Sequence, residues 1–150
     1  MTGFIVYAAT DDALFVASSI VGAVIPDRVE GSPPKESAAY WKWRKNHRTW
    51  SHYPPLYLSL IAAIQIAMTY FKNPQLDLIL NLVMYALVGA LLHIVEDGIC
   101  GKVPVFTPRR KHGIKLFTVG SWKEYFFAGL IVVGCLLFRY KELFLTELNL

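Results

Sequence analysis

The sequence predicts an all-α integral membrane bundle of about four transmembrane helices, joined by two long polar loops on the cytoplasmic side. Three observations point there. Hydrophobic residues make up 55% of the 150 positions and charged residues only 17%, against roughly a quarter charged in average soluble domains. Mean hydropathy is +0.40. The apolar residues also gather into four separate runs. At this length the chain is expected to form one membrane domain, residues 1–150.

Helices are expected at about 3–25, 54–71, 76–97 and 124–140. A helix crossing the hydrocarbon core needs about 20 residues, within a range of roughly 17 to 25. The second and third runs meet that length, and the fourth does so if its flanking residues snorkel. The first is interrupted by Asp11 and Asp12, and Ala13 to Ile25 alone reaches only about 20 Å. These acids either cap a short helix after Thr10 or form a polar pair inside the bundle; the sequence leaves both open. "FKNPQLD" is a tight helix–helix connection built on Asn73 and Pro74. "EGSPPKES" reads as a flexible link. No Lys or Arg precedes Arg28, so no removable signal peptide is expected.

Charge placement orients the bundle. Arg28, Lys35, Lys42, Arg44, Lys45 and Arg48 lie between the first and second runs. Lys102, Arg109, Arg110, Lys111, Lys115 and Lys123 lie between the third and fourth. Only Lys72 falls in the short connection, so the positive-inside rule puts both long loops in the cytoplasm and both termini outside. The net charge of +4 is thereby explained by topology, and a nucleic-acid partner is not expected. Cys100 and Cys135 are too few and too far apart for a disulfide framework or a zinc ribbon. One is expected as a loop thiol and the other as a buried one.

This topology gathers polar residues from distant segments at one end. In "HIVED", His93 and Asp97 are four apart and share a helix face. Glu96 is a further carboxylate, a candidate ligand or base. Acids at a helix C-terminus oppose the macrodipole, so a cation or a basic loop should compensate them. "HRTWSH" adds His47 and His52, which suit zinc and other first-row metals, and Arg48, whose planar fork suits a phosphate or carboxylate. A basic juxtamembrane loop with Trp50 and Tyr53 as interfacial anchors would look similar. "GAVIPDRVEG" contributes Asp27, a cap when taken alone and a metal ligand beside the other clusters. "TPRRKHG" supplies Arg109, Lys111 and His112, either a solvated loop or a means of capturing an anionic headgroup.

Through "GAVIPD", "HRTWSH" and "LLHIVEDGICGKVPVFTP", over roughly residues 10 to 122, the chain resembles the YdjM family. These are LexA-regulated, inner-membrane-associated proteins of bacteria and their mobile elements, assigned by motif to the metal-dependent hydrolases. The resemblance implies a bacterial inner-membrane location and Asp27, His47, His52, His93 and Asp97 as metal-site residues, with Arg48 nearby. The sequence departs from the family where members often carry a further Asp and His after the Pro-Asp pair. Arg28, Val29 and Glu30 stand here, and Glu30 or Asp11 is the candidate replacement.

The expected function is metal-dependent hydrolysis of a membrane-associated ester or phosphoester. Zinc is the expected ion, with manganese or magnesium the alternatives. A metal would activate water, Glu96 would take its proton, and Arg48 with Arg109 or Lys111 would stabilise anionic charge. The expected partners are the bilayer and an anionic or lipid-linked substrate, and self-association is left open. The rival is a non-enzymatic scaffold or exclusion factor of a mobile element with a structural metal, distinguished by a closed coordination shell. "HIVEDGICG" also loosely resembles the last motif of the lipid phosphate phosphatases, but the Ser-Arg and Pro-Ser-Gly-His that family needs are missing.

Overall fold

The computed structural model describes residues 1–118 and 120–148, with side chains described through Lys141. The chain is mostly helical. Its helices are α1 (Thr2–Thr10), α2 (Ala13–Glu30), α3 (Ser37–Asn46), α4 (Pro54–Tyr70), α5 (Pro74–Cys100) and α6 (Trp122–Leu148), with a 3-10 turn at Trp50–His52. Two short strands, β1 (Val103–Thr107) and β2 (Arg110–His112), pair antiparallel with Val103 opposite His112. That hairpin lies where the sequence suggested only a basic loop.

The first expected helix, 3–25, is in fact two. Asp11 adopts a left-handed conformation at φ 55° and its N–H closes on Tyr7, ending α1. Asp12 then accepts from the Leu14 and Phe15 amides at 2.7 and 3.2 Å, satisfying donors that open a helix. The aspartates are therefore caps, and Asp11 also pairs with Arg139 of α6. Because α1 folds back on α2, Thr2 comes within 3.3 Å of Glu96 near the end of α5. The start of the chain thus lies at the loop end of the bundle, opposite to the sequence expectation. The helix also continues through Pro26 to Glu30 instead of stopping at Pro-Asp. Proline forfeits one backbone bond, but Pro26 is fully buried and Glu30 is tethered from outside the helix.

The deepest packing joins α2 to α5. Gly22 lies against the backbone of Ala86 and Gly89 against that of Ser19, so close that a Cβ on either glycine would overlap it. Small residues let helix backbones approach where apolar burial gives no advantage over lipid. Phe15 stacks on Tyr85 at 4.4 Å between centroids. On the other side of α5, Tyr57, Ala90, Ile94 and Val103 form a buried cluster that brings in α4 and β1. Asn73 caps α5 by accepting from Gln75 and Leu76 at 3.0 and 3.2 Å, with Pro74 in the first turn.

Among the described residues, α5 is the helix long and apolar enough to cross a membrane by length and composition. Many large apolar side chains of α2, α4 and α6 stay exposed, among them Ile20, Val24, Leu58, Ile66, Leu130 and Leu137. Cys100, expected in a loop, is the last residue of α5, and both cysteines are free and half-buried.

Candidate metal centre

The centre forms where the loop-bearing ends of α2 and α5 meet the 3-10 turn before α4. Asp27 comes from α2, His52 from the turn, and His93 and Asp97 from α5. One donor atom of each lies within 4.8 Å of the others. His52 Nε2 stands 3.3 Å from Asp27 Oδ1 and 3.2 Å from Asp97 Oδ2. His93 Nε2 stands 3.5 Å from Asp27 Oδ2 and 3.7 Å from Asp97 Oδ2. Metal bonds of 2.0–2.2 Å set neighbouring donors roughly 3 to 3.6 Å apart; the first three of these spacings fall in that range and the fourth lies just beyond it.

The hydrogen bonding fits a cation as well. His52 Nε2, His93 Nε2 and Asp97 Oδ2 are buried without a hydrogen-bond partner, a costly state for groups aimed at one point unless an ion joins them. His52 is completely buried. Its Nδ1 lies 2.9 Å from Ser51 Oγ and 3.2 Å from Glu30 Oε1. The Ser51 hydroxyl itself donates to Glu30, so its lone pair and the carboxylate both call for a proton on Nδ1. This assigns the tautomer that leaves the Nε2 lone pair facing Asp27 and Asp97, the carboxylate–histidine arrangement of metal ligands.

Glu30 organises the surroundings. It accepts the Arg48 N–H at 2.7 Å and pairs through its other oxygen with His47 Nδ1. Burial works against its charge. The Ser51 hydroxyl and the neighbouring His47 and His52 outweigh that penalty and hold its carboxyl below the ordinary range. Arg48 occupies the left-handed region at φ 57°, which costs of order 1 kcal/mol or more for a residue other than glycine. Two contacts hold it there: the N–H to Glu30, and Nη2 donating to Asp97 Oδ1 at 2.8 Å. Arg48 thereby fixes the carboxylate whose second oxygen faces the histidines. Gly101 leaves room for the guanidinium, since a Cβ there would sit 2.9 Å from Nη1.

The remaining candidates fall elsewhere. His47 is not among the four donors; it caps α3, stacks on Trp43 at 4.4 Å and lines a cavity of about 410 Å³ beside Asp27. Glu96 is turned by one residue from the face of His93 and Asp97 and meets Thr2 instead, so the structure does not bring the expected base to the cluster. Lys111 donates to the carbonyls of Lys45 and His47, and burial lowers the pKa of its ammonium. Arg109 lies exposed in the hairpin turn. Sequence reasoning missed Ser51, Trp43 and α3 itself, although Tyr40, Trp41 and Trp43 among Lys42, Arg44 and Lys45 mark an interfacial helix.

Asp27 is the exposed side of the centre, with 51% of its side chain accessible, whereas Asp97 has 11%. The cavity over it is lined also by Arg28, His47 and Arg48. Such an arrangement can hold a divalent cation and still admit a second molecule from one side. No curated protein and no solved structure matches the chain. The model of the YdjM inner membrane proteins matches residues 1–148, and the chain belongs to that family.

Proposed function

We propose that this protein is a membrane-bound, metal-dependent hydrolase of a membrane-associated ester or phosphoester, with its centre at the cytoplasmic surface of the inner membrane. The observation that carries this is the pairing of three buried, unpartnered donor atoms with a half-exposed Asp27 beneath an open cavity. A structural site is closed on all sides, whereas a catalytic one keeps a side open.

Asp27, His52, His93 and Asp97 would hold the ion, zinc in the first instance and manganese or magnesium otherwise. When bound, it supplies Lewis acidity and brings a coordinated water toward a pKa of about 7. His47 takes the place first expected for Glu96. Its Nδ1 is engaged by Glu30 and its ring is clamped by Trp43, so Nε2 is the atom available in the cavity to accept or return a proton. Arg28 and Arg48 line the same cavity and favour an anionic group there. Arg48 also orients Asp97.

For the membrane arrangement, α2 as far as Ile25, α4, α5 and α6 are the four crossings, and α1 is a half-length helix packed back on α2. The basic residues of the two long loops favour the cytoplasmic side, and α3 lies along that surface through its aromatic residues. Zinc- or manganese-loaded protein in vesicles is expected to cleave lipid esters or phosphoesters. His47→Ala is expected to keep the metal and lose about 10²-fold or more of the rate, the usual contribution of a positioned acid–base group. No turnover on any such substrate, with the metal fully bound, would leave a structural metal in a membrane scaffold as the better description.

A further inference from the structure

A groove of about 680 Å³ runs between α1 and α2. Its α2 wall is Val16, Ala17, Ile20, Ala23 and Val24, which recur at helical spacing and so form one stripe. Three and four residues beyond Val24, on the continuation of that stripe, stand Asp27 and Arg28. From Ala13 to Val24 the groove follows α2 for about 16 Å. Beyond it in the chain, Asp27 and Arg28 line a separate polar cavity. Arg28 is exposed and, unlike Arg48 and Arg139, makes no ion pair among the described residues.

One helix face thus presents a long apolar channel, then a metal-site carboxylate, then a free cation. The parts of a phospholipid follow the same order: acyl chain, ester, phosphate. We propose that the groove seats one acyl chain of an anionic glycerophospholipid from the surrounding bilayer, with its phosphate at Arg28 and its scissile bond beside Asp27. The proposal rests on the hydrolase reading and names its substrate class. Lipid tails are as apolar as the groove, so the groove aligns the chain with the centre more than it adds affinity.

The test uses the full-length protein in phosphatidylcholine vesicles containing phosphatidic acid with a photoactivatable diazirine in its acyl chain. After irradiation, labelled positions are located by peptide mass spectrometry. Val16, Ala17 and Ile20 are expected to be labelled several-fold more than Leu58 and Ile66 on α4, which are at least as exposed as Ile20. Ala17→Phe should reduce the groove label, and Val21→Phe, on an exposed position outside the groove, should not. Arg28→Ala should reduce labelling by phosphatidic acid and leave labelling by diazirine phosphatidylcholine unchanged. Equal labelling of α2 and α4 in the unmodified protein overturns the proposal, and does so without depending on any variant folding. Release of product in the same vesicles is scored separately. Groove-specific label without product sinks the hydrolase reading and leaves the lipid site standing; product with uniform label does the reverse.

Discussion

His52 Nε2 and Asp97 Oδ2 face each other across 3.2 Å, both buried and neither hydrogen-bonded. With the proton of His52 on Nδ1, held by Ser51 and Glu30, the two facing atoms each present a lone pair. Two acceptors at that distance repel, and a shared cation reverses the sign of the interaction.

Arg48 holds Asp97 from behind and contributes no donor to the centre. Arg48→Ala is expected to weaken metal affinity by about 10- to 100-fold, the usual effect of removing a group that orients a ligand. Competition with a chromogenic chelator measures this. Arg48→Lys should recover only part of the loss, because a point charge does not reproduce the planar fork.

Glu30 carries a pH signature. Its carboxyl is held below the ordinary glutamate value of about 4.3, so the folded state prefers the charged form. The stability it contributes is complete above that ordinary value and is lost as pH falls through the depressed one. In metal-free protein, Glu30→Gln should therefore lower stability at neutral pH and flatten the loss of stability between about pH 5 and pH 3. Thermal unfolding across that window checks it. An unchanged acid limb would contradict the assignment of Glu30 as a charged, buried partner of His47 and His52.

The α2–α5 crossing depends on two glycines that meet the opposing backbone. Gly22→Leu or Gly89→Leu is expected to destabilise by about 2 kcal/mol or more, since overpacking here displaces a helix. Gly134→Leu, where an added Cβ meets nothing within 4 Å, is the matched change in α6 and should cost much less. Unfolding in mixed detergent micelles separates the two cases.

Much of the centre was legible in the sequence because its donors lie at the polar edges of the apolar runs. Asp27 follows Pro26, and His93 and Asp97 share a face at four-residue spacing, so pattern alone pointed to them. Glu96 points away from the His93–Asp97 face because adjacent helical residues diverge by about 100°, and the fold-back of α1 brings Thr2 to that side. That fold-back in turn depends on Asp11 and Asp12 acting as two different caps in succession. Caps and interior polar pairs draw on the same residue types, so spacing did not choose between them. The β-hairpin was hidden for another reason: Val103, Pro104 and Arg110 to His112 carry no alternation, and the pairing is fixed by burial of Val103 against Tyr57 and Ile94.

The most direct measurement is the metal content of detergent-purified protein, by elemental mass spectrometry, alongside four single variants. Zinc or manganese near one equivalent is expected in the unmodified chain. It should be lost in His52→Ala and His93→Ala, and kept in His47→Ala and Glu96→Gln. That pattern would establish a single centre built by the turn before α4 and the end of α5. Absence of metal, with none taken up on addition, would contradict it and recast His52 and His93 as imidazolium partners of Asp27 and Asp97.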